Sequence, residues 1–514
     1  MKARPRRLVA AIAGALATSA SAVSLSSDGL GQALIFPYYT VRSSEGGNAF
    51  NTYISIVSTT TLAKSVRVRF REGRAARPVL DFNLFLSPND VWTAAVIPVE
   101  DSSDVSAGGT RLVTRDASCT DPPFARSGGV ASTTFSATSY AAGSGNGDGF
   151  GTGLERTREG YVEVIEMATL SGAAAAAVSL TSAGVPNNCG YIHANPTIPS
   201  RMLTAPTGQL SGTGTLINVA NGRDFAIPVT ALANLSLYQF HRHYSDPYPG
   251  FFANEIDPVS VVVANGQVYR SVWEYSVDAV SAVLMRHEWL AEYVLDNDTS
   301  SLTDLVATLP TRHFYVDATR FTPPFSAPGI WDAACVQSGS PQALGEDIAF
   351  AFFNREERAA VADGCGAGVC PPPDPLLDAR HCAAAGVASL RNGSIHMPGD
   401  TTRTAVLGST TRGFLRGGIG NVASPFQNGW VLIGAPAAGL PPRAPLMSLP
   451  SSIRVDLASG QVIPGAHAFS GLPVIGFSVR TFSNGTLSCA GAPGCQGNYG
   501  GAFEFKYRRS IFPP

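Results

Sequence analysis

Beyond residue 22 no stretch supplies the ~20 successive apolar residues that a membrane-spanning helix needs. The best candidate, Gly172 to Leu180, is short and alanine-rich. Charge is scarce as well: Asp, Glu, Lys and Arg make up 14% of the 514 residues, against about 25% in ordinary soluble domains. Neither sign dominates, with 36 basic and 38 acidic side chains. That balance gives no electrostatic basis for a nucleic-acid partner or an anionic membrane surface. Enzyme signatures are missing too: there is no G-x-S-x-G elbow, phosphate-binding loop, dinucleotide fingerprint or C-x-x-C-H haem motif. Two partial motifs fail on inspection. His287-Glu288 starts a zinc-peptidase pattern, but Ala291 stands where the second histidine belongs. Asp296 and Asp298 start a calcium loop, but Ser301 replaces the turn glycine and Ala307 the bidentate Glu. No cofactor is expected.

What is present begins with an export signal. Lys2, Arg4, Arg6 and Arg7 precede an apolar stretch from Leu8 to Ala17, followed by Thr18-Ser19-Ala20-Ser21-Ala22. A basic start, a short apolar run and an A-x-A site define a cleavable secretory leader, with the cut placed after Ala22. The apolar run is about half the length of a spanning helix. The Arg6-Arg7 pair lacks the rest of a twin-arginine signal. Removing residues 1–22 takes four basic groups away and leaves 32 basic against 38 acidic. The expected destination is the periplasm, the cell surface or the extracellular space. The 53 glycines and 36 prolines, with so few charges, suit a β-rich extracytoplasmic chain.

Export changes the meaning of the eight cysteines, Cys119, Cys189, Cys335, Cys365, Cys370, Cys382, Cys489 and Cys495. An even number in an oxidising compartment reads as disulfides. Cys489 and Cys495 flank Ala-Gly-Ala-Pro-Gly, and Cys365 and Cys370 flank Gly-Ala-Gly-Val; both are flexible turns that favour local bridges. The pairs Cys119–Cys189 and Cys335–Cys382 then remain. Zinc held by Cys365, Cys370, His381 and Cys382 is the rival, at spacings looser than structural zinc sites prefer.

Period-two alternation is the main structural signal. It runs through Val66-Arg67-Val68-Arg69-Phe70-Arg71 and Leu80-Asp81-Phe82-Asn83-Leu84, with β-branched and aromatic runs at Thr52 to Val57 and Val91-Trp92-Thr93. Asn221-Gly222, Asn265-Gly266 and Asn484-Gly485 each lie between such runs and predict two-residue hairpin turns. Ser459-Gly460 predicts another hairpin. The expected organisation is an N-terminal β unit over 23–126, a Gly/Ser-rich linker or long loop over 127–153, and a central β-rich region over 154–330. A disulfide-tied irregular or helical segment over 331–400 and a C-terminal β unit over 401–514 follow. One helix is predicted from Val277 to Leu295 and a short second one from Arg355 to Val361. The fold class is mainly β: antiparallel sandwich-like units with one or two helices and disulfide-tied loops.

Three candidate ligand sites stand out. His241 and His243 would share one strand face and form a weak metal pair without a third ligand. Tyr244, Tyr248, Phe251 and Phe252, beside Asp246, Glu255 and Asp257, could stack on sugar rings. Arg67, Arg69 and Arg71, with Arg74 and Arg77 close behind, form the only strong basic stripe; the first three share one face, which either grips an anionic polymer or is simply solvated. No residue pattern assigns a catalytic group.

Gly31-Gln32-Ala33-Leu34-Ile35-Phe36-Pro37-Tyr38-Tyr39, the run from Phe70-Arg71-Glu72-Gly73 through Val79 to Pro88, and Cys495-Gln496-Gly497-Asn498-Tyr499-Gly500-Gly501 together resemble a family of uncharacterised exported proteins of Gram-negative bacteria. The resemblance touches both ends of the chain and implies one architecture and an envelope or extracellular location. It carries over no functional residue. The leading expectation is a structural or adhesive, non-enzymatic protein of the cell surface or medium, partnered by surface polysaccharide or other envelope proteins. A secreted glycan-binding or glycan-active protein and an outer-membrane β-barrel are the alternatives.

Overall fold

The structure is a computed structural model that describes residues 22–43, 49–99, 108–141, 148, 150–246, 258–317, 320–321, 323–325, 345–356, 376–381, 383–392, 403–411, 414–415, 421–434, 443–489 and 492–514. Apart from Ala22, the leader lies outside these residues; Ala22 itself opens the strand Ala22–Leu25 and pairs with Val259. The chain is mostly β, with 51% strand and 9% helix, in several antiparallel sheets.

The largest sheet has twelve strands. At its centre lie Ala33–Thr40, Glu159–Leu170 and Lys64–Glu72, buried along their whole length. Ala33-Leu34-Ile35-Phe36 is a continuous apolar run, the mark of a strand covered on both faces. A seven-stranded sheet, containing Asn51–Ser58 and Val91–Pro98, lies against one face. Leu34, Phe36, Ile54, Ile56, Val66, Val68, Phe70, Phe82 and Trp92 fill the space between them. A single stretch of alternating strands between residues 33 and 100 thus supplies both layers of one sandwich.

A six-stranded and a five-stranded sheet form a second sandwich, around Trp289, Tyr293, Leu305, Phe350, Phe352, Val431 and Ile433. A further core joins the two. It contains Ala33, Ile35 and Ile165 from the first sheet, Val280 and Val283 from a helix, and Val306, Val387 and Phe477 from the five-stranded sheet. Chain order is not sheet order: Ile453–Asp456 pairs with Gln267–Val272 in the first large sheet. The strand orders are open paths, and among the described residues no sheet returns to its own first strand. No described helix is long and apolar enough to cross a membrane.

The hairpin at Asn265-Gly266 forms as its sequence requires, joining Val259–Ala264 to Gln267–Val272 with φ of 51° and 71° at the two turn residues. Positive φ at both central positions is what the twist of a two-residue hairpin demands. The hairpin through Gly460 also forms. Asn221-Gly222 sits in a slightly longer loop between Leu210–Asn218 and Arg223–Ile227. Asn484-Gly485 is different. It lies within the long strand Ile475–Cys489, where the register against Ala492–Glu504 shifts between Asn484 and Thr486. Here the glycine accommodates a bulge instead of a turn.

One further expectation is corrected. The helix covers only Ser276–Leu284, and Glu288–Val294 is a strand. The helical reading left Trp289 and Tyr293 off its apolar stripe; in the strand, Trp289, Ala291 and Tyr293 alternate into the core. Of the stretch 127–153, expected as a linker or long loop, the described residues pack against the N-terminal sheets. Val130–Thr134 pairs with Thr110–Thr114, and Phe135, Tyr140 and Phe150 are buried. Residues 142–147 and 149 lie outside the description. So does most of the second predicted helix; its first two residues, Arg355 and Glu356, are in a turn after the strand Glu346–Asn354.

Among the described residues there is one disulfide, Cys119–Cys189, one of the two long-range pairs expected from the sequence. It ties the edge strand Cys119–Asp121 to the helix Cys189–Ala194. Cys335, Cys365, Cys370 and Cys382 lie outside the described residues, as do the side chains of Cys489 and Cys495. His381, the proposed fourth zinc ligand, is buried at the end of a strand opposite Glu346.

Candidate functional site

The turn over residues 73–77 folds Pro78–Leu86 back on Lys64–Glu72, setting Asp81 opposite Arg69 and Asn83 opposite Arg67. On the other side Glu163 is opposite Arg69 and Tyr161 opposite Arg71. Directly opposed residues share a face. Period two therefore sends Val66, Val68 and Phe70 into the sandwich core and gathers the three arginines with Asp81, Asn83, Glu163 and Tyr161 on the reverse face.

That face is not solvated. Arg67, Arg69 and Arg71 are only 0%, 3% and 6% exposed. Arg69 Nη2 lies 2.6 Å from Asp81 Oδ2, and Arg71 Nε lies 2.9 Å from Glu163 Oε1. Burial pulls the Arg71 guanidinium down, but Glu163 outweighs it and holds the group above its ordinary range. A buried charge is tolerated only when paired, and each of these is.

Arg67 has a separate task. Its Nε donates to Asn83 Oδ1 at 2.8 Å, and its terminal nitrogens donate to the carbonyls of His243 at 2.8 Å and of Tyr244 and Asp246 at 3.2 Å. Asn83 Nδ2 adds a bond to the Arg242 carbonyl at 2.9 Å. Residues 242–246 are thus fastened to the sheet by one guanidinium and one amide, and Tyr244 and Asp246 are held over the neighbouring arginines.

The result is a pocket of about 800 Å³. Arg69, Arg71 and Asp81 form its polar floor, Val79, Leu80 and Phe314 its apolar wall, and Tyr244 and Asp246 one lip. The opposite lip carries Thr134, Ser136, Thr138 and Ser139 from the Gly/Ser-rich segment. His313 is the pocket's imidazole. Burial first, then Arg71 and Arg69, hold it well below the usual histidine range, so it is neutral at pH 7. Its Nδ1 lies 3.5 Å from the Tyr161 hydroxyl. Among the described residues none of the lip hydroxyls is hydrogen-bonded to it. The floor and lip can donate to and accept from hydroxyl groups, and Tyr244 offers an aromatic surface.

Three stretches singled out in the sequence therefore converge: the arginine stripe, the start of the aromatic loop and the Gly/Ser-rich segment. Tyr248, Phe251 and Phe252 lie outside the described residues. His241 and His243 do not share a strand face. His241 is buried, with Nδ1 2.9 Å from Ser65 Oγ and Nε2 3.3 Å from the Pro196 carbonyl. A carbonyl can only accept, so Nε2 carries the proton and Nδ1 accepts from the serine. Burial keeps this imidazole down at about 4. His243 points elsewhere, with Nε2 3.6 Å from Asp121. No group of three metal donors occurs among the described residues.

Sequence reading missed Asp81 and His313. Asp81 was within reach: a hairpin over residues 73–77 fixes the register that opposes it to Arg69. Nothing local marks His313, which arrives from more than 200 residues away.

These features define a double β-sandwich with a charge-balanced polar pocket on one sheet face. Comparison with models of known families, with curated proteins and with solved structures finds no match for this chain.

Proposed function

We propose that the chain is an exported, non-enzymatic adhesive protein of the envelope or extracellular space, and that its contact is a neutral glycan bound in the Arg69–Asp81–Tyr244 pocket. The observation that carries this reading is charge balance inside the pocket. Its lining carries two guanidiniums, of Arg69 and Arg71, and two carboxylates, of Asp81 and Asp246, and both guanidiniums are already paired, with Asp81 and with Glu163 behind the floor. A polyanion would have to displace partners that are already well placed, whereas sugar hydroxyls can bridge fixed donors and acceptors without adding charge. The aromatic lip and the row of hydroxyls suit the same ligand. A membrane barrel is less well supported, because membrane-crossing strands need a closed sheet and the strand orders among the described residues are open. Export rests on the leader.

A glycan array with the full chain tests the site. Binding of a neutral saccharide, unchanged between 0.05 and about 0.5 M salt, is expected, since screening affects only charged contacts. Tyr244→Ala should weaken it about tenfold, which is about 1.4 kcal/mol. Binding only to sulfated or carboxylated polymers, lost at high salt, would reverse the assignment; no glycan binding at all would end it. Fractionation of cells tests the location: the reading requires the chain outside the cytoplasm, with residues 1–22 removed.

A further inference from the structure

A second pocket, of about 390 Å³, opens between the first large sheet and the six- and five-stranded sheets. Its walls include Arg286, Trp289, Phe505 and Tyr507, with Ser27 and Glu504 among the remainder. The helix Ser276–Leu284 ends beside it, leaving carbonyls that need donors. Two arginines supply them. Arg286 Nη1 donates to the carbonyls of Val283 and Met285 at 3.1 and 3.0 Å, and Arg509 reaches Ala282, Met285 and Val283 at 3.1, 3.0 and 2.6 Å. Cations are favoured at a helix C-terminus, so capping explains why both are there.

Capping does not explain the rest. Arg286 is 5% exposed and forms no ion pair with a carboxylate among the described residues. Its guanidinium carbon lies over the Tyr507 ring, 3.6 Å from the centroid, with that of Arg509 5.4 Å from the same centroid. Burial, and then Arg509, lower Arg286 to about 9, so it remains a cation at pH 7. Trp289 is 2% exposed, and its indole N–H has no acceptor among the described residues. Leaving such a donor unmatched costs about 1–3 kcal/mol. Glu504 is the one carboxylate among the pocket's walls, and it is exposed. It favours the Arg286 charge from a distance but forms no ion pair with it among the described residues.

We propose that this pocket is a second ligand site, taking a small carboxylic acid with an apolar body. The carboxylate pairs with Arg286 and accepts from the Trp289 N–H. The body packs on Phe505 and on Val474 and Ile475, which complete the apolar wall. Such a ligand supplies a directly paired carboxylate for Arg286 and an acceptor for Trp289, neither of which the described residues provide. Because the walls come from both sandwiches, binding would also stabilise their junction.

Isothermal titration of the full chain with benzoate, and with the neutral isostere benzamide, tests this. One saturable benzoate site is expected, with benzamide at least tenfold weaker. Trp289→Phe keeps the ring without the N–H and should weaken benzoate about fivefold, and Arg286→Gln at least tenfold. Since Arg286 also caps a helix, Ser27→Trp provides a check that leaves the interior intact: Ser27 is exposed on the pocket rim, and a bulky side chain there should block binding while the melting temperature holds. No benzoate binding, equal affinity for benzamide, or full binding by Ser27→Trp would each overturn the proposal.

Discussion

Replacing Glu159 by Gln tests how the two sandwiches are held together. Glu159 is fully buried, yet its oxygens gather donors from two distant parts of the chain, residues 38–42 and 409–411. Oε1 accepts from Arg42 Nε at 2.9 Å, from the Thr411 hydroxyl at 2.9 Å and from the amides of Thr410 and Thr411 at 3.1 Å. Oε2 accepts from the Tyr38 hydroxyl at 2.7 Å and the Ser409 hydroxyl at 2.5 Å. Burial alone would raise this carboxyl; Arg42 and then the Ser409, Tyr38 and Thr411 hydroxyls overcome it and hold it at about 2, against an ordinary 4.5. That difference is worth about 3 kcal/mol at 1.36 kcal/mol per pH unit. Because the folded value is depressed, this stability is present above pH ~4.5 and drains away as pH falls toward 2. Gln turns one acceptor into a donor facing donors, so the loss at pH 7 should be at least about 3 kcal/mol, shrinking to about 1 kcal/mol at pH 2.5. Urea unfolding of both proteins at the two pH values measures this. Thermolysin at pH 7 should cut the variant within residues 403–411 on the order of a hundred times faster, since cleavage follows local opening. A loss that is the same at both pH values, or below about 1 kcal/mol at pH 7, would refute the account of Glu159 as the charged clasp of that segment.

Two other buried features give sharp expectations. Lys64 and Glu166 are both 0% exposed. The ammonium uses all three donors, on Glu166 Oε1 at 2.8 Å, the Thr207 hydroxyl at 2.6 Å and the Gly208 carbonyl at 2.8 Å. Lys64→Met strands the carboxylate and should cost about 3–5 kcal/mol in urea unfolding. Lys64→Met with Glu166→Leu should recover roughly half of that, the remainder being the Thr207 and Gly208 amides that lose their acceptor; a double variant as unstable as the single would show that charge is not the issue. The Cys119–Cys189 bridge closes a sequence separation of 70 residues, for which loop entropy predicts about 4 kcal/mol. A double Cys→Ala variant should lower the urea midpoint accordingly, and an unchanged midpoint would mean the packing around Ala63, Phe85 and Ile192 already fixes that corner.

What could be read from sequence was whatever depends on neighbours in the chain. Alternation identified Lys64–Glu72 and Pro78–Leu86 as strands, and Asn265-Gly266 identified a hairpin, because side-chain period and turn chemistry act over a few residues. Where two periods fit, the local signal failed. Val283, Leu290, Ala291 and Val294 are compatible with a helix, and only packing partners such as Val431 and Ile433, more than 100 residues on, select the strand Glu288–Val294. Asn484-Gly485 has turn chemistry but lies inside a 15-residue strand whose partner continues past it.

The arginine stripe shows why the site was harder to read than the fold. Alternation places Arg67, Arg69 and Arg71 on one face, and it cannot say whether that face meets water. The deciding facts are distant: Glu163 arrives opposite Arg69 from nearly 100 residues away, and the carbonyls that Arg67 binds lie some 175 residues on. A face that looks like a cationic surface becomes a buried polar layer once those partners are in register. Arg67 changes from a ligand-gripping group into the fastening of the loop that bears Tyr244. It follows that Arg67→Gln should act on the pocket indirectly, loosening residues 242–246 and lowering affinity for a neutral glycan without changing its salt dependence. If Arg67→Gln instead lowered only salt-sensitive binding, the guanidinium would be touching ligand charge, and the latch would be the wrong description.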